Sequence, residues 1–259
     1  MVTRPQRRAE PHEVLVRQGA TLVTRAPLVE RASTPELLAP EVPQRAAQEV
    51  VQPDRELEVS RLPRWKRGMD VVGATLALAV FAPLFALTGL LVRLDSPGPA
   101  LFRQRRIGTG GREFECLKFR SMYVDAEERR EAVAHLNEAT GHVFKIRDDP
   151  RRTRVGKVLR KTSVDELPQF WNVLRGDMTL VGPRPPLPSE VALYEPHERA
   201  RLRGVPGITG PWQVSAREHH DFQEMLALDV EYLENVSFLR DCRILLATIP
   251  AVLGARGSH

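Results

Sequence analysis

Residues 71–92 read VVGATLALAVFAPLFALTGLLV, 22 positions without a charge. A helix needs roughly 20 apolar residues to cross a bilayer core, so the run is long enough. Pro83, near its centre, changes that reading. Residues 71–82 rise only about 18 Å as a helix, against a core of roughly 30 Å. A proline inside a helix removes a backbone hydrogen bond and bends the axis. Both flanks are basic, with Arg61, Arg64, Lys66 and Arg67 before the run and Arg93, Arg103, Arg105 and Arg106 after it. Basic flanks favour the cytoplasmic side; a hairpin keeps both of them there, whereas a straight span does not. The stretch is therefore expected to form helix–Pro83–helix, entering one leaflet and returning. Trp65 stands beside the first basic cluster, a pairing suited to the membrane interface. Pro97-Gly98-Pro99 then ends the element near Leu94.

Upstream, residues 1–64 contain no Phe, Trp or Tyr, one Gly, and eight Pro from Pro5 to Pro63. Such a segment buries too little apolar surface to offset its ordering entropy. It reads as a mostly disordered tail over 1–62, with short helices around 34–38 or 44–51. Residues 63–95 form the membrane element and 96–259 a cytoplasmic domain. In that domain LFRQRRIG and REFECLKFRSM read as two strands joined at Gly110-Gly111. Residues 122–139 read as an amphipathic helix with Met122, Ala126, Val133 and Leu136 on one side. DDPRRTRVGKVLRKTS is a turn and a short basic helix. DELPQFWNVLRGDM is a helix closed by Gly176. TLVGPRPPLP reads as a rigid extended loop, VPGITGPWQVS as irregular, and helices are expected over about 190–203, 220–236 and 241–253. The fold class is α+β and mainly helical: a re-entrant membrane element, amphipathic interfacial helices and a small β element.

The net charge of +5 suits nucleic acid, an anionic membrane surface or phosphate-bearing substrates. Only the membrane has a counterpart in the sequence, the apolar run, so no nucleic-acid partner is expected. Two cysteines, Cys116 and Cys242, form no metal or disulfide spacing and suit a reducing compartment. Residues 1–20 lack the apolar core of a signal peptide. His135, His142, His197, His219 and His220 show no metal-ligand spacing. Asp148-Asp149-Pro150 reads as a turn.

Four places could carry chemistry. In TSVDELP, Ser163 and Glu166 fit an S-x-x-E capping box, and Pro168 suits a first turn. A helix start also holds carboxylates ionised and binds phosphate, so Asp165 and Glu166 could serve as metal ligands or nucleophile. Arg160 and Lys161, just upstream, could neutralise phosphate charge. In GPRPP, prolines on both sides of Arg184 could hold its guanidinium ready for a bidentate phosphate contact, unless the segment is an exposed polyproline ligand. In CLKFRSM, Lys118 and Arg120 share one strand face, as a phosphate site or as a solvated surface. In the helix from about 220, Asp229 falls on the apolar stripe with Phe222, Met225, Leu226, Tyr232, Leu233 and Val236. It serves there either a site or a buried structural arginine.

LFRQRRIG, CLKFRSM, DDPRRTRVGKVLRKTSVDELPQFWNVLRGDMTLVGPRP, GITGPWQVS and LDVEYLENVSFLRDCRILLATI stand in the order found in the bacterial sugar transferases, the monotopic polyprenyl-phosphate phosphoglycosyl transferases. The chain resembles them over about residues 63–254. The resemblance implies transfer of a sugar 1-phosphate from a UDP-sugar to polyprenyl (undecaprenyl) phosphate, release of UMP, and a need for Mg²⁺. The product would be the first lipid-linked unit of an exopolysaccharide or other glycoconjugate, made at the cytoplasmic face of the bacterial inner membrane. By resemblance Asp165 is the nucleophile and forms a phosphosugar–enzyme. Glu166 completes the dyad as metal ligand or proton acceptor. Lys118 and Arg160 lie near the phosphates, Arg184 belongs to the nucleotide site and Asp229 lies near the active site. The resemblance also implies a re-entrant broken helix, with Pro83 as the break, and leaves self-association open.

This chain departs mildly from the family pattern. Val164 precedes the dyad where Leu is usual, Thr179 replaces a commoner Ser, and Ala216 a usual Gly. Ala82 precedes Pro83 where many members have Ser, and larger members carry a four-helix membrane domain where this chain has its polar tail. Two other functions compete: a UDP-releasing glycosyltransferase at the membrane, and a non-catalytic membrane scaffold.

Overall fold

The computed structural model describes residues 57, 59–137, 146, 148–215 and 222–253. The helices expected around 34–38 and 44–51, most of the tail, His142, Ala216, His219 and His220 lie outside them.

The apolar run lies within α1, Arg64–Asp95, a single helix of 32 residues with Pro83 inside it. Here the structure differs from the expectation of two helices meeting at the proline. One missing hydrogen bond, flanked by Ala, Leu and Phe, bends a helix more readily than it ends one. Among the described helices α1 is the one long and apolar enough to cross a membrane. Its two ends pack on the same body. Lys66, Asp70 and Ala74 are buried at one end, Thr88 and Val92 at the other, and residues 79–83 between them are exposed.

Lys66 and Arg67 look like interface cations in the sequence, but both turn inward. Lys66 pairs with Asp241 and donates to Tyr232 Oη at 3.0 Å. Arg67 donates to Val173 O at 2.6 Å and Leu174 O at 2.7 Å, carbonyls at the C-terminus of a later helix where a cation is favoured. Asp70 accepts from Thr179 Oγ1 and Leu180 N, each at 2.9 Å.

After α1 the chain forms an antiparallel hairpin, β1 Leu101–Ile107 and β2 Glu113–Phe119, in register from Leu101↔Phe119 to Ile107↔Glu113. Gly110 and Gly111 turn it at φ 66° and 78°, a region open chiefly to glycine. The helix expected over 122–139 is instead a turn segment followed by a 3₁₀ helix, Glu131–Leu136. Ala126 and Val133 are buried as the apolar pattern requires, but Leu136 is exposed, and Met122 bridges in β fashion to Arg152.

Next come α2, Arg154–Thr162, and α3, Gln169–Arg175, the latter closed by left-handed Gly176 as expected. β3, Thr179–Val181, follows. The helix expected over 190–203 is split into α4, Pro188–Val191, and a 3₁₀ helix, Glu198–Arg203, with Pro196 between them. β4, Gly207–Thr209, runs parallel to β3. Read as loop and irregular segment, these two three-residue strands are too short to show a pattern. The chain continues as α5 Pro211–Val214, α6 Phe222–Glu234 and α7 Phe238–Leu253.

The main core joins Ala74, Cys116, Val173, Met178, Leu180, Tyr232 and Ile244, and so ties α1, β2, α3, β3, α6 and α7 together. A second cluster, Val92, Phe119 and Leu159, ties the far end of α1 to β2 and α2. α7 turns Asp241 and Ile244 inward and leaves Phe238, Leu239, Leu246 and Ile249 outside. Trp65 stands edge-on to Phe238 with ring centres 5.8 Å apart. Among the described residues the protein is thus mostly helical, with two small sheets.

Candidate functional site

The segment between α2 and α3 is built differently from a capped helix start. Thr153 caps α2, its side chain accepting from Gly156 N at 2.9 Å. Ser163 then ends α2 in the left-handed region at φ 55°, unusual for a residue other than glycine. It makes no side-chain cap bond, so the expected capping box does not form. One 3₁₀ turn, Val164–Glu166, carries the chain into α3. Glu166 is freed from capping and takes a salt bridge with Lys118 on β2, Nζ to Oε1 at 2.7 Å. Asp165 is buried beside it.

The two carboxyls are thereby driven apart. Burial and the neighbouring charge of Glu166 push Asp165 above the usual carboxylate range, against Lys118 and Arg160. Burial opposes ionisation of Glu166 too, but Lys118 and then Arg184 outweigh it and hold that carboxyl at about 2. Near neutral pH Glu166 is an anion spent on Lys118, whereas Asp165 is the basic carboxyl of the pair. Separated pKa values of this kind mark a division of labour.

An open cleft adjoins Glu166, walled by Arg106, Lys118, Gln169, Arg184 and Gln213 among others. The arginine of GPRPP is exposed while Pro183, Pro185 and Pro186 are buried, so the loop is packed and is no free polyproline ligand. Arg106 is buried behind it and donates to Pro185 O at 2.8 Å and to Gln104 Oε1 at 2.8 and 3.1 Å. Burial, and after it the Arg184 charge, pull the Arg106 guanidinium below its ordinary range. Arg160 lies on the Asp165 side, with Nε 3.0 Å from Ser121 Oγ. Burial and Arg152 lower it, and the Asp165 charge works against them.

Two other sequence candidates have different tasks. Arg120 lies one residue past β2 and does not share the Lys118 face. It is buried, with its guanidinium on Ser96 O at 2.6 Å, Ser96 Oγ at 3.0 Å and Pro97 O, so it clamps the C-terminus of α1. Asp229 is fully buried and paired with Arg201, NH2 to Oδ2 at 2.6 Å, the structural-arginine alternative.

Residues 61–255 match the family described as bacterial sugar transferase. The chain belongs to this family. It is 46% identical over 194 residues to the galactosyl transferase CpsE of Streptococcus agalactiae, covering 74% of this chain and 43% of that protein. It is 43% identical over 198 residues to the exopolysaccharide production protein ExoY of Rhizobium meliloti, covering 75% of this chain and 88% of the relative. It is 43% identical over 196 residues to the UDP-glucose:undecaprenyl-phosphate glucose-1-phosphate transferase of Caulobacter vibrioides, covering 73% and 69%. The chain thus spans less than half of the streptococcal relative and most of the rhizobial one.

In this sugar transferase several cleft residues escaped the sequence reading. Alternation puts Arg106 on the strand face opposite Arg103 and Arg105, but that this face turns inward follows from its packing against the 183–186 loop. Gln169 and Gln213 carry no charge or spacing signal. Arg201, buried behind the Arg184 loop rather than in the cleft wall, has no signal that sets it apart in ERARLR. As for metal, no cluster of three or more His, Cys, Asp or Glu is assembled among the described residues. Mg²⁺ commonly binds through one or two carboxylates plus substrate phosphates. The adjacent carboxylates of Asp165 and Glu166 fit that pattern.

Proposed function

We propose that this transferase moves a sugar 1-phosphate from a UDP-sugar to undecaprenyl phosphate, releasing UMP and leaving an undecaprenyl diphosphate sugar. The observation that carries this reading is the split dyad. A buried, basic Asp165 adjoins a Glu166 that pairs with Lys118 in the wall of a cleft shared with Arg106 and Arg184. Relatives named as undecaprenyl-phosphate transferases and exopolysaccharide production proteins support it.

Arg184 and Lys118 hold the diphosphate so that the sugar-bearing phosphorus faces Asp165. An Asp165 carboxylate oxygen attacks that phosphorus. The bond from it to the bridging oxygen breaks, and UMP leaves with the electron pair. Asp165 then carries the phosphosugar as an acyl phosphate. An oxygen of undecaprenyl phosphate attacks the same phosphorus, the Asp165–phosphorus bond breaks, and the carboxylate is restored. Both attacking groups are anions, so neither step requires a base to remove a proton. Arg160 and Lys118 balance the charge gathered around the phosphoryl oxygens. Asp165 and Glu166 would hold Mg²⁺, which supplies further neutralisation of those oxygens when bound.

The acceptor is a lipid, which gives α1 its role as a re-entrant element in the cytoplasmic leaflet of the inner membrane. A helix crossing straight through would carry its two ends to opposite sides, whereas both ends of α1 are fastened to one domain. Products of this reaction would begin exopolysaccharide assembly.

The test offers the purified chain a panel of UDP-sugars with Mg²⁺ and undecaprenyl phosphate and identifies the nucleotide released. UMP is expected, and Asp165→Asn should abolish its release. Full activity in that variant rules out the covalent route. Release of UDP instead makes the protein a conventional glycosyltransferase, and no release with any sugar makes it a scaffold.

A further inference from the structure

The loop that presents Arg184 has an unusual hydrogen-bond pattern. Its residues Pro183, Pro185 and Pro186 have no N–H to give, so only their carbonyls can fix the loop. All four consecutive carbonyls are engaged, each by a donor from outside the loop. Gly207 N donates to Pro183 O at 2.8 Å and Ile107 N to Pro186 O at 2.9 Å. Arg106 NH1 donates to Pro185 O at 2.8 Å, and Arg201 NH2 to Arg184 O at 3.2 Å. Two of the four donors are guanidinium groups that lie almost wholly out of solvent, Arg106 at 6% and Arg201 at 3% exposure. Burying a cation behind a loop that already carries an arginine is costly unless its place is strongly fixed.

Arg201 is fixed from two sides. Its NH1 donates to Tyr194 Oη at 2.9 Å, and its NH2 also donates to Asp229 Oδ2 at 2.6 Å. The 3₁₀ helix that carries Arg201, the segment with Tyr194 and helix α6 with Asp229 therefore converge on the backbone of one exposed residue. We infer that Arg201, held by Asp229 and Tyr194, is a positioning residue that aims Arg184 at the phosphates of the nucleotide donor. This gives Asp229 a part in donor binding through two intervening residues and without contact with substrate. A planar fork is needed to meet Tyr194, Asp229 and the Arg184 carbonyl together, which a lysine cannot do. The inference rests on the reading of the cleft as a UDP-sugar site.

The experiment measures UMP binding to the detergent-solubilised full chain by calorimetry, with KM for the UDP-sugar alongside. Arg201→Lys, Arg184→Ala and the double variant are compared with the parent. Losing one charge-assisted phosphate contact costs about tenfold in affinity. Arg201→Lys should weaken UMP by about that factor and raise KM, with kcat changed less. In the Arg184→Ala background the same change should add nothing, because the residue it positions is gone. Tyr194→Phe removes one of the supports with little disturbance of the core. It should shift affinity in the same direction and likewise add nothing when Arg184 is absent, which keeps the test open if Arg201→Lys fails to fold. Parental affinity in folded Arg201→Lys overturns the inference. So does a loss that persists undiminished in the Arg184→Ala background, which would put Arg201 on the ligand itself or make it merely structural. A parent that binds no UMP overturns the donor-site reading, a result distinct from either.

Discussion

Lys118 Nζ lies 2.7 Å from Glu166 Oε1, and Asp165, the next residue back along the chain, is the buried carboxyl that this pair leaves over. The arrangement separates two neighbouring acids. Glu166 is held at about 2 and titrates outside any working range, so the acid limb of activity belongs to Asp165.

Replacing Glu166 by Gln tests that assignment through pH. The negative charge of Glu166 is one cause of the raised Asp165 pKa, second to burial. Its removal lowers the Asp165 pKa, and freeing Lys118 lowers it further. Activity requires ionised Asp165, so the acid limb of kcat/KM for UMP release should move to lower pH. The maximal rate should fall as well, but the position of the limb is independent of it. An unmoved limb, or one displaced upward, contradicts the assignment.

Lys118 and Arg120 are two residues apart in sequence, and the structure assigns them different losses. Lys118→Met removes a charge that supports both carboxylates and faces the cleft, and should cut kcat/KM by about 10²-fold or more. Arg120→Met removes the clamp on Ser96 and Pro97 at the end of α1. It should cost about 3 kcal/mol of stability with KM for the UDP-sugar unchanged in the folded fraction. Thermal unfolding and steady-state kinetics on the two variants check this. A raised donor KM in Arg120→Met would return that residue to the phosphate site.

Why one of these residues was legible and the other was not is a matter of chain geometry. The β1–β2 hairpin is visible in the sequence because alternation and Gly110-Gly111 agree, α1, α6 and α7 because their patterns are long, and the short α2 because a turn at Asp148-Asp149-Pro150 precedes it. Lys118 and Arg120 look equivalent on an idealised strand, but β2 stops at Phe119 and Arg120 turns into the end of α1. The capping box failed for a similar reason. Ser163 has the right neighbours, yet the preceding helix ends on it in a left-handed conformation that sequence seldom signals outside glycine and asparagine. Asp229 was recognisable as a buried acid on an apolar stripe. Its partner Arg201 was not, because pairing across 28 residues follows from packing of the 3₁₀ helix on α6. β3 and β4 were missed because three residues carry no measurable period.

The join between α1 and the rest of the structure rests on a buried charge. Lys66, Asp241 and Tyr232 form one cluster, with Tyr232 Oη donating within 2.6 Å of Asp241 Oδ1. Asp241→Leu leaves the Lys66 ammonium buried without its counter-ion. The expected cost is about 3 kcal/mol, which for a domain of this size lowers Tm by roughly 6–12 °C. The double variant Lys66→Met with Asp241→Leu removes both charges and should recover much of that loss, since an apolar replacement of a buried pair is often close to neutral. Calorimetry of the single and double variants decides. Equal Tm values for single and double variants would show that the pair does not couple.

Membrane topology gives the last expectation. The two ends of α1 are tied to one domain by Lys66, Arg67 and Asp70 on one side of the apolar centre and by Arg120, Val92 and Asp95 on the other. Residues 79–83, around Pro83, meet no such contacts and are exposed. In a membrane those five residues face lipid, and both anchors must lie on one side, with the body they are tied to. Single cysteines test this at positions open to reagent, in a chain whose Cys116 and Cys242 have been changed to Ser. Arg61→Cys and Pro99→Cys are suitable because both positions are exposed, whereas Lys66 and Ser96 are buried and would resist labelling from either side. In sealed inner-membrane vesicles of known orientation, both should react with a charged maleimide only when the cytoplasmic face is accessible. Reaction of one from each face would require α1 to span the bilayer, and would separate the two anchors that the structure places on one body.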